Sequence, residues 1–208
     1  MVLEGRDSHP GAGGTVTFEP NAAYVKELTR IAPPGPTTSE LLELFCWPVD
    51  LNYARQMKQA LAGALTFPDL RMLSNYHVAP DYVGGSRAAG YAFSVEQLVR
   101  LANDHVPLET LRGFKQAGYD FSVDQFLQIR NHRVSVEDAG RFRQMGYDFS
   151  LDDLIKLRNY GVPAPFITQL HDPAYENFTA DELIDFHQKR ISAEAINKIR
   201  TAKRKTQP

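Results

Sequence analysis

The sequence predicts an all-α protein, a solenoid-like array of short two-helix hairpins with a period of about 28 residues. Three observations carry that expectation. The pentapeptide GYDFS stands at Gly118–Ser122 and again at Gly146–Ser150, and a near copy, GYAFS, stands at Gly90–Ser94, at an interval of 28 residues both times. After each copy, apolar residues recur at i, i+3, i+4 and i+6, which is one face of a helix and not the alternation of a strand. Each run also opens on a hydroxyl side chain and closes near asparagine or glycine. Self-similarity at a period of roughly 20–50 residues is the signature of stacked supersecondary units.

Residues 1–17 hold several glycines and no hydrophobic periodicity, which predicts a disordered lead-in. Within them, GAGGT (Gly11–Thr15) lacks the Gly-Lys-Ser/Thr ending of a phosphate loop. Residues 18–65 read as degenerate N-terminal cap units. AYVKELTRIAPP (Ala23–Pro34) resembles the second half of a hairpin, APPGPTTSE (Ala32–Glu40) is a proline-rich joint, and Thr37–Gly63 fits the repeat frame loosely. Residues 66–203 form the array proper, with units at Thr66–Gly90, Tyr91–Gly118, Tyr119–Gly146, Tyr147–Ala174 and Tyr175–Lys203. Residues 204–208 end a basic tail that includes Lys198, Arg200, Lys203, Arg204 and Lys205, expected to be frayed and solvated.

The first helix of each unit begins at Ser94, Ser122, Ser150 or Thr179, whose side chain can accept a bond from an orphan amide of the first turn. Three residues on stand Gln97, Gln125, Asp153 and Glu182. The Gln and Glu versions complete a capping box, and Asp153 is expected to imitate it more weakly. Phe93, Phe121, Phe149 and Phe178 precede the caps as hydrophobic staples. The apolar face comprises Val95, Leu98, Val99 and Leu101, then Val123, Phe126, Leu127 and Ile129, then Leu151, Leu154, Ile155 and Leu157. Asn75, Asn103, Asn131 and Asn159 end these helices.

A corner follows, with an apolar β-branched residue at Val78, Val106, Val134, Val162 and Ile191. The second helix starts at Ser135, Ser192, Pro107 or Pro163. Its predicted buried stripe is Leu108, Leu111 and Phe114, with counterparts Val136, Ala139 and Phe142, then Ala164, Ile167 and Leu170, then Ala193, Ile196 and Ile199. Gly90, Gly118 and Gly146 stop it in a left-handed conformation, and the following tyrosine folds back on the helix end. Helices of about ten residues are marginal alone in water. Stacked neighbours lend each other the missing face, and in-phase copies argue against a closed bundle with accidental similarity.

The 208 residues are 43% apolar and 23% charged with a net charge of −2, so the chain is no polyelectrolyte and has no global pull toward nucleic acid or anionic membranes. Cys46 is the one cysteine, so no internal disulfide can form; it reads as a small core residue and not a nucleophile. No apolar run approaches the ~18 residues of a membrane span and no segment looks like a signal peptide, which predicts a cytoplasmic location if the chain is complete.

Searching for chemistry returns little. None of His9, His77, His105, His132, His171 and His187 is paired with a carboxylate at metal-binding helical spacing. The acid pairs Asp152–Asp153 and Asp181–Glu182 lie in first turns, where they suit the helix dipole. No catalytic residue, metal site or cofactor is expected. The corners vary most between units, and Tyr76, His77, His105, His132, Arg133, Tyr160, Lys189 and Arg190 form the candidate binding edge. Tyrosine and arginine are favoured at binding hot spots.

The stretch YDFSLDDLIKLRNYGVPAPFITQL (Tyr147–Leu170) resembles a bacterial tandem repeat found behind membrane-embedded zinc metallopeptidases of the beta-lactam-sensor type. The likeness extends over Thr66–Lys203 and more faintly over Ala23–Gly63. It implies a helical array. The peptidase's His-Glu-x-x-His motif is absent, so no peptidase activity is implied. The chain also departs at the corner glycine, which only Gly161 keeps; His77, His105, Arg133 and Arg190 stand there in other units. The functional expectation is a non-enzymatic helical repeat scaffold that binds another protein or a peptide. The alternatives are a nucleic-acid-binding repeat protein and an accessory segment of a bacterial signalling or peptidase system.

Overall fold

The computed structural model describes residues 19–63, 65–173 and 177–205, the side chain of Phe45 and those beyond Arg200 excepted. The expected lead-in at 1–17 and most of the expected tail at 204–208 lie outside the described residues. Among the described residues there are thirteen α-helices and no strand. In order they are α1 (Ala22–Ile31), α2 (Thr38–Cys46), α3 (Leu51–Ala60), α4 (Phe67–Asn75), α5 (Pro80–Ala88), α6 (Val95–Asn103), α7 (Leu108–Gln116), α8 (Val123–His132), α9 (Val136–Gln144), α10 (Leu151–Asn159), α11 (Ala164–Leu170), α12 (Ala180–Gln188) and α13 (Ala193–Lys205). No helix among them is long and apolar enough to cross a membrane.

The helices fall into two compact units, one ending at Asn103 and the other beginning at Asp104. In the first, α1 packs on α3, α3 on α5, and α4 on α6. In the second, α7 packs on α9, α8 on α10, α10 on α12, and α11 on α13. Within each unit, then, a helix stacks on the next but one, its own counterpart in the neighbouring hairpin. This is the packing a repeated apolar face demands. The core of the first unit gathers Leu28, Ile31, Ala54, Met57, Phe67, Leu70 and Leu73, all essentially inaccessible. That of the second is built on Leu111, Phe114, Phe126, Ile129, Phe142, Leu154 and Ile167.

The start-and-stop chemistry is local. The Ser122 hydroxyl accepts from the Gln125 amide at 3.3 Å while Gln125 accepts from the Ser122 amide at 2.9 Å. Asp153 closes the same box on Ser150, with bonds of 3.0 and 3.1 Å, so the shorter acid forms a complete box where a weaker imitation was expected. At the other end, Gly118 has φ +84°, its amide donates to the Lys115 carbonyl at 3.0 Å, and the Tyr119 amide donates to the Phe114 carbonyl at 2.9 Å. This crossed pair is a Schellman stop. It recurs at Gly90–Tyr91 and Gly146–Tyr147.

All five letters of GYDFS have a structural role. Glycine takes the left-handed position. Tyrosine is buried and stacks on the phenylalanine two residues on, with centroids 5.1 Å apart for Tyr119–Phe121 and 4.8 Å for Tyr147–Phe149. Aspartate forms an ion pair with a cation three residues before the glycine, Asp120 with Lys115 and Asp148 with Arg143. Phenylalanine staples, Phe121 meeting Phe126 edge-on at 6.0 Å, and serine caps.

Two expectations of burial are corrected. Ile199 is 57% exposed, not part of the buried stripe, because among the described residues no later helix covers that side of α13. Cys46 is exposed at the end of α2, beside Trp47, which is 71% exposed. In neither case does the local pattern reveal that the covering neighbour is missing. Asn131 is also not the last helical residue, since α8 runs one further, to His132.

Candidate binding edge at the helix corners

The first helices α4, α8, α10 and α12 end in a second Schellman stop, the mirror in function of the glycine one. The Val134 amide donates to the Ile129 carbonyl at 2.9 Å and the Arg133 amide to the Arg130 carbonyl at 3.2 Å. The same crossed pair forms at His77–Val78, Gly161–Val162 and Arg190–Ile191. The residue at its centre must adopt positive φ. It is His77 at +51°, His105 at +52°, Arg133 at +52°, Gly161 at +66° and Arg190 at +56°. A side chain there costs about 1 kcal/mol relative to glycine. The valine that follows is the buried anchor, with Val78 at 1% and Val106 at 2% exposed.

The eight residues of the expected edge are all exposed. Tyr76 and His77 form the corner of the first unit, between α4 and α5. The remaining six belong to the second unit. There the corners after α8 and α10 touch: His132 Nδ1 lies 3.4 Å from Asn159 Oδ1, and Arg158 Nε donates to the Arg133 carbonyl at 3.4 Å. Lys189 is engaged within its own helix, its ammonium bonding Asp185 at 2.7 Å.

Two residues join this edge that the sequence reading passed over. Arg130 and Arg158 occupy the last turns of α8 and α10, 28 residues apart, each followed by asparagine. The repeated Arg-Asn pair was the available signal. Their charge has an unusual setting. Elsewhere in the second unit cations are matched, in Lys115–Asp120, Arg141–Glu137, Arg143–Asp148, Lys156–Asp181 and Lys198–Glu194. The bond to Asp181 holds the Lys156 ammonium above its ordinary pKa. Among the described residues, Arg130, Arg133, Arg158 and Arg190 have no ion-pair partner, a property they share with Arg112 on α7.

The cations that lie between hairpins do a different job. Arg87 donates to the Leu61 carbonyl at 2.8 Å, Arg143 to that of Gly118 at 3.5 Å and Arg200 to that of Leu170 at 3.0 Å. Each caps the C-terminal end of the preceding second helix, where the helix dipole is negative. These residues hold the stack together and are not part of the edge. Among the described residues no cluster of three or more histidine, cysteine or acidic side chains is arranged to hold a metal ion. No family model, curated protein or solved structure matches the chain.

Proposed function

We propose that the chain is a non-enzymatic helical repeat scaffold that binds another protein or a peptide at its helix corners. One observation carries this reading. Four of the five corner positions with left-handed geometry carry histidine or arginine, although the chain uses glycine at every equivalent stop of GYDFS type. Residues held in sparsely populated backbone regions cluster at functional positions. Here the side chains so retained are exposed and of types that make directional contacts. Tyr76 and Tyr160, each 53% exposed, stand beside them with aromatic area that the core does not use. The repeat architecture and the resemblance to bacterial arrays support the same reading, because stacked hairpins present one equivalent corner per step.

The test is site-specific photocrosslinking in cells that express the chain. A photoreactive residue in place of Tyr160 is expected to capture a discrete protein partner, and one in place of Gln144, exposed at the end of α9 farthest from the corner, is expected not to. Equal capture at both positions, or none at Tyr160, overturns the reading.

A further inference from the structure

We infer that the corner row of the second unit takes an acidic peptide segment, whose carboxylates are received by the guanidinium groups of Arg130, Arg133, Arg158 and Arg190. This rests on the scaffold reading above and names the chemistry of its partner.

The arginines are the place to begin. In the second unit six cations lie against a carboxylate, whereas Arg130, Arg133, Arg158 and Arg190, at the ends of α8, α10 and α12, have none among the described residues, and Arg112 on α7 likewise has none. The helix dipole accounts for Arg130 and Arg158, which sit in last turns where positive charge is favoured. It does not account for Arg133 and Arg190. These lie beyond the helix ends, in a conformation that glycine would adopt at lower cost, as Gly161 does at the corner between them. Two unfavourable local choices, one charge without a counter-charge and one side chain in the left-handed region, coincide at the same residue twice.

All four groups are arginine. A guanidinium presents a planar fork that matches a carboxylate with two parallel bonds, which an ammonium does not. Spacing favours a peptide. Neighbouring helices in such a stack lie roughly 8–10 Å apart, and an extended chain advances about 3.3 Å per residue. Acidic residues about three apart therefore meet successive corners. A nucleic acid carries a phosphate on every nucleotide and asks for a continuous basic track with stacking aromatics. This row is interrupted at Gly161, offers one well-exposed ring in Tyr160, and belongs to a chain of net charge −2.

The experiment measures fluorescence anisotropy of a labelled oligoglutamate and of a labelled single-stranded DNA of equal charge against the full chain, at low and at physiological salt. It is repeated with the double variant Arg133→Gly/Arg190→Gly. Glycine suits both positions, so the variant is expected to melt no lower than the parent, and lost binding will not reflect lost folding. The expected result is oligoglutamate binding that weakens with salt and falls at least about tenfold in the double variant. Unchanged affinity in the variant, tighter binding of the DNA, or no binding of oligoglutamate to the parent each overturns the inference. Any of these together with partner capture at Tyr160 leaves the scaffold reading in place; absence of capture sinks that reading whatever the anisotropy shows.

Discussion

The guanidinium of Arg143 lies over the ring of Tyr119, 4.4 Å from its centroid. Tyr119 follows the end of α7 and Arg143 lies on α9, the counterpart of α7 in the next hairpin. Arg143 also forms an ion pair with Asp148 in its own GYDFS turn and donates to the Gly118 carbonyl in the preceding one. One side chain thus joins two copies of the repeated motif, through a charge, a carbonyl and an aromatic face. Arg143→Ala is expected to lower stability by about 1–2 kcal/mol, combining the cation–π contact with lost packing of the side-chain stem. Arg141→Ala, which removes only an exposed pair with Glu137, is expected to cost no more than about 0.5 kcal/mol. Urea denaturation of the two variants checks the contrast.

The tyrosines separate into two classes. Tyr119 and Tyr147 are buried, yet their hydroxyls have no hydrogen-bond partner among the described residues, and burial raises the pKa of both phenols. Tyr53 donates its hydroxyl to the Val78 carbonyl at 2.9 Å. Removing an unsatisfied buried hydroxyl is neutral or stabilising, whereas removing a bonded one costs about 1 kcal/mol. Tyr119→Phe and Tyr147→Phe are therefore expected to hold or raise the melting temperature, and Tyr53→Phe to lower it.

Two helical glycines give opposite signs. A Cβ at Gly113 would collide with the Val136 side chain where α7 meets α9, while a Cβ at Gly140 would sit 3.6 Å from that of Ala117, in ordinary contact. Alanine is favoured over glycine inside a helix by about 1 kcal/mol. Gly140→Ala is expected to stabilise by up to that amount. Gly113→Ala is expected to destabilise, and Val136→Ala in the same chain to recover part of the loss. Chemical denaturation of the single and double variants decides it.

Left-handed positions offer a matched pair of changes. His77→Gly relieves a strained residue and is expected to stabilise by about 1 kcal/mol. Gly118→Val imposes a β-branched side chain at φ +84° and is expected to destabilise by more than that, although among the described residues no atom beyond its own chain neighbours lies within 4 Å of the site a Cβ would take. The penalty is conformational and not steric crowding by neighbours. Thermal melts that place Gly118→Val level with the parent would show the helix end to be elsewhere.

Acid acts on the first unit through Glu27. Bonds from Arg30 and Arg55 hold its carboxyl down at about 2, from an ordinary value of 4.5. A depressed carboxyl contributes stability that is complete above its ordinary pKa and is lost as pH falls toward the folded value. Stability is expected to decline between about 4.5 and 2. Glu27→Gln should flatten that part of the curve, as followed by helical circular dichroism across the same range.

What the amino-acid sequence determined by itself is the set of helix starts and stops. A cap, its box partner, a staple, a left-handed glycine and the apolar residue after it all lie within a few positions of one another, so Ser122, Gln125, Phe121, Gly118 and Tyr119 could be assigned from neighbours in the chain. The stacking of counterparts was legible for the same reason, since an apolar face repeated in phase has to be covered by its own copy. Tertiary structure alone decided what depends on the neighbour across space. It set the opposite fates of Gly113 and Gly140, the reach of Arg143 to Tyr119, the exposure of Cys46 and Ile199, and which arginines lack a carboxylate. These follow from distances between residues about one repeat apart, and local propensity carries no information about distance.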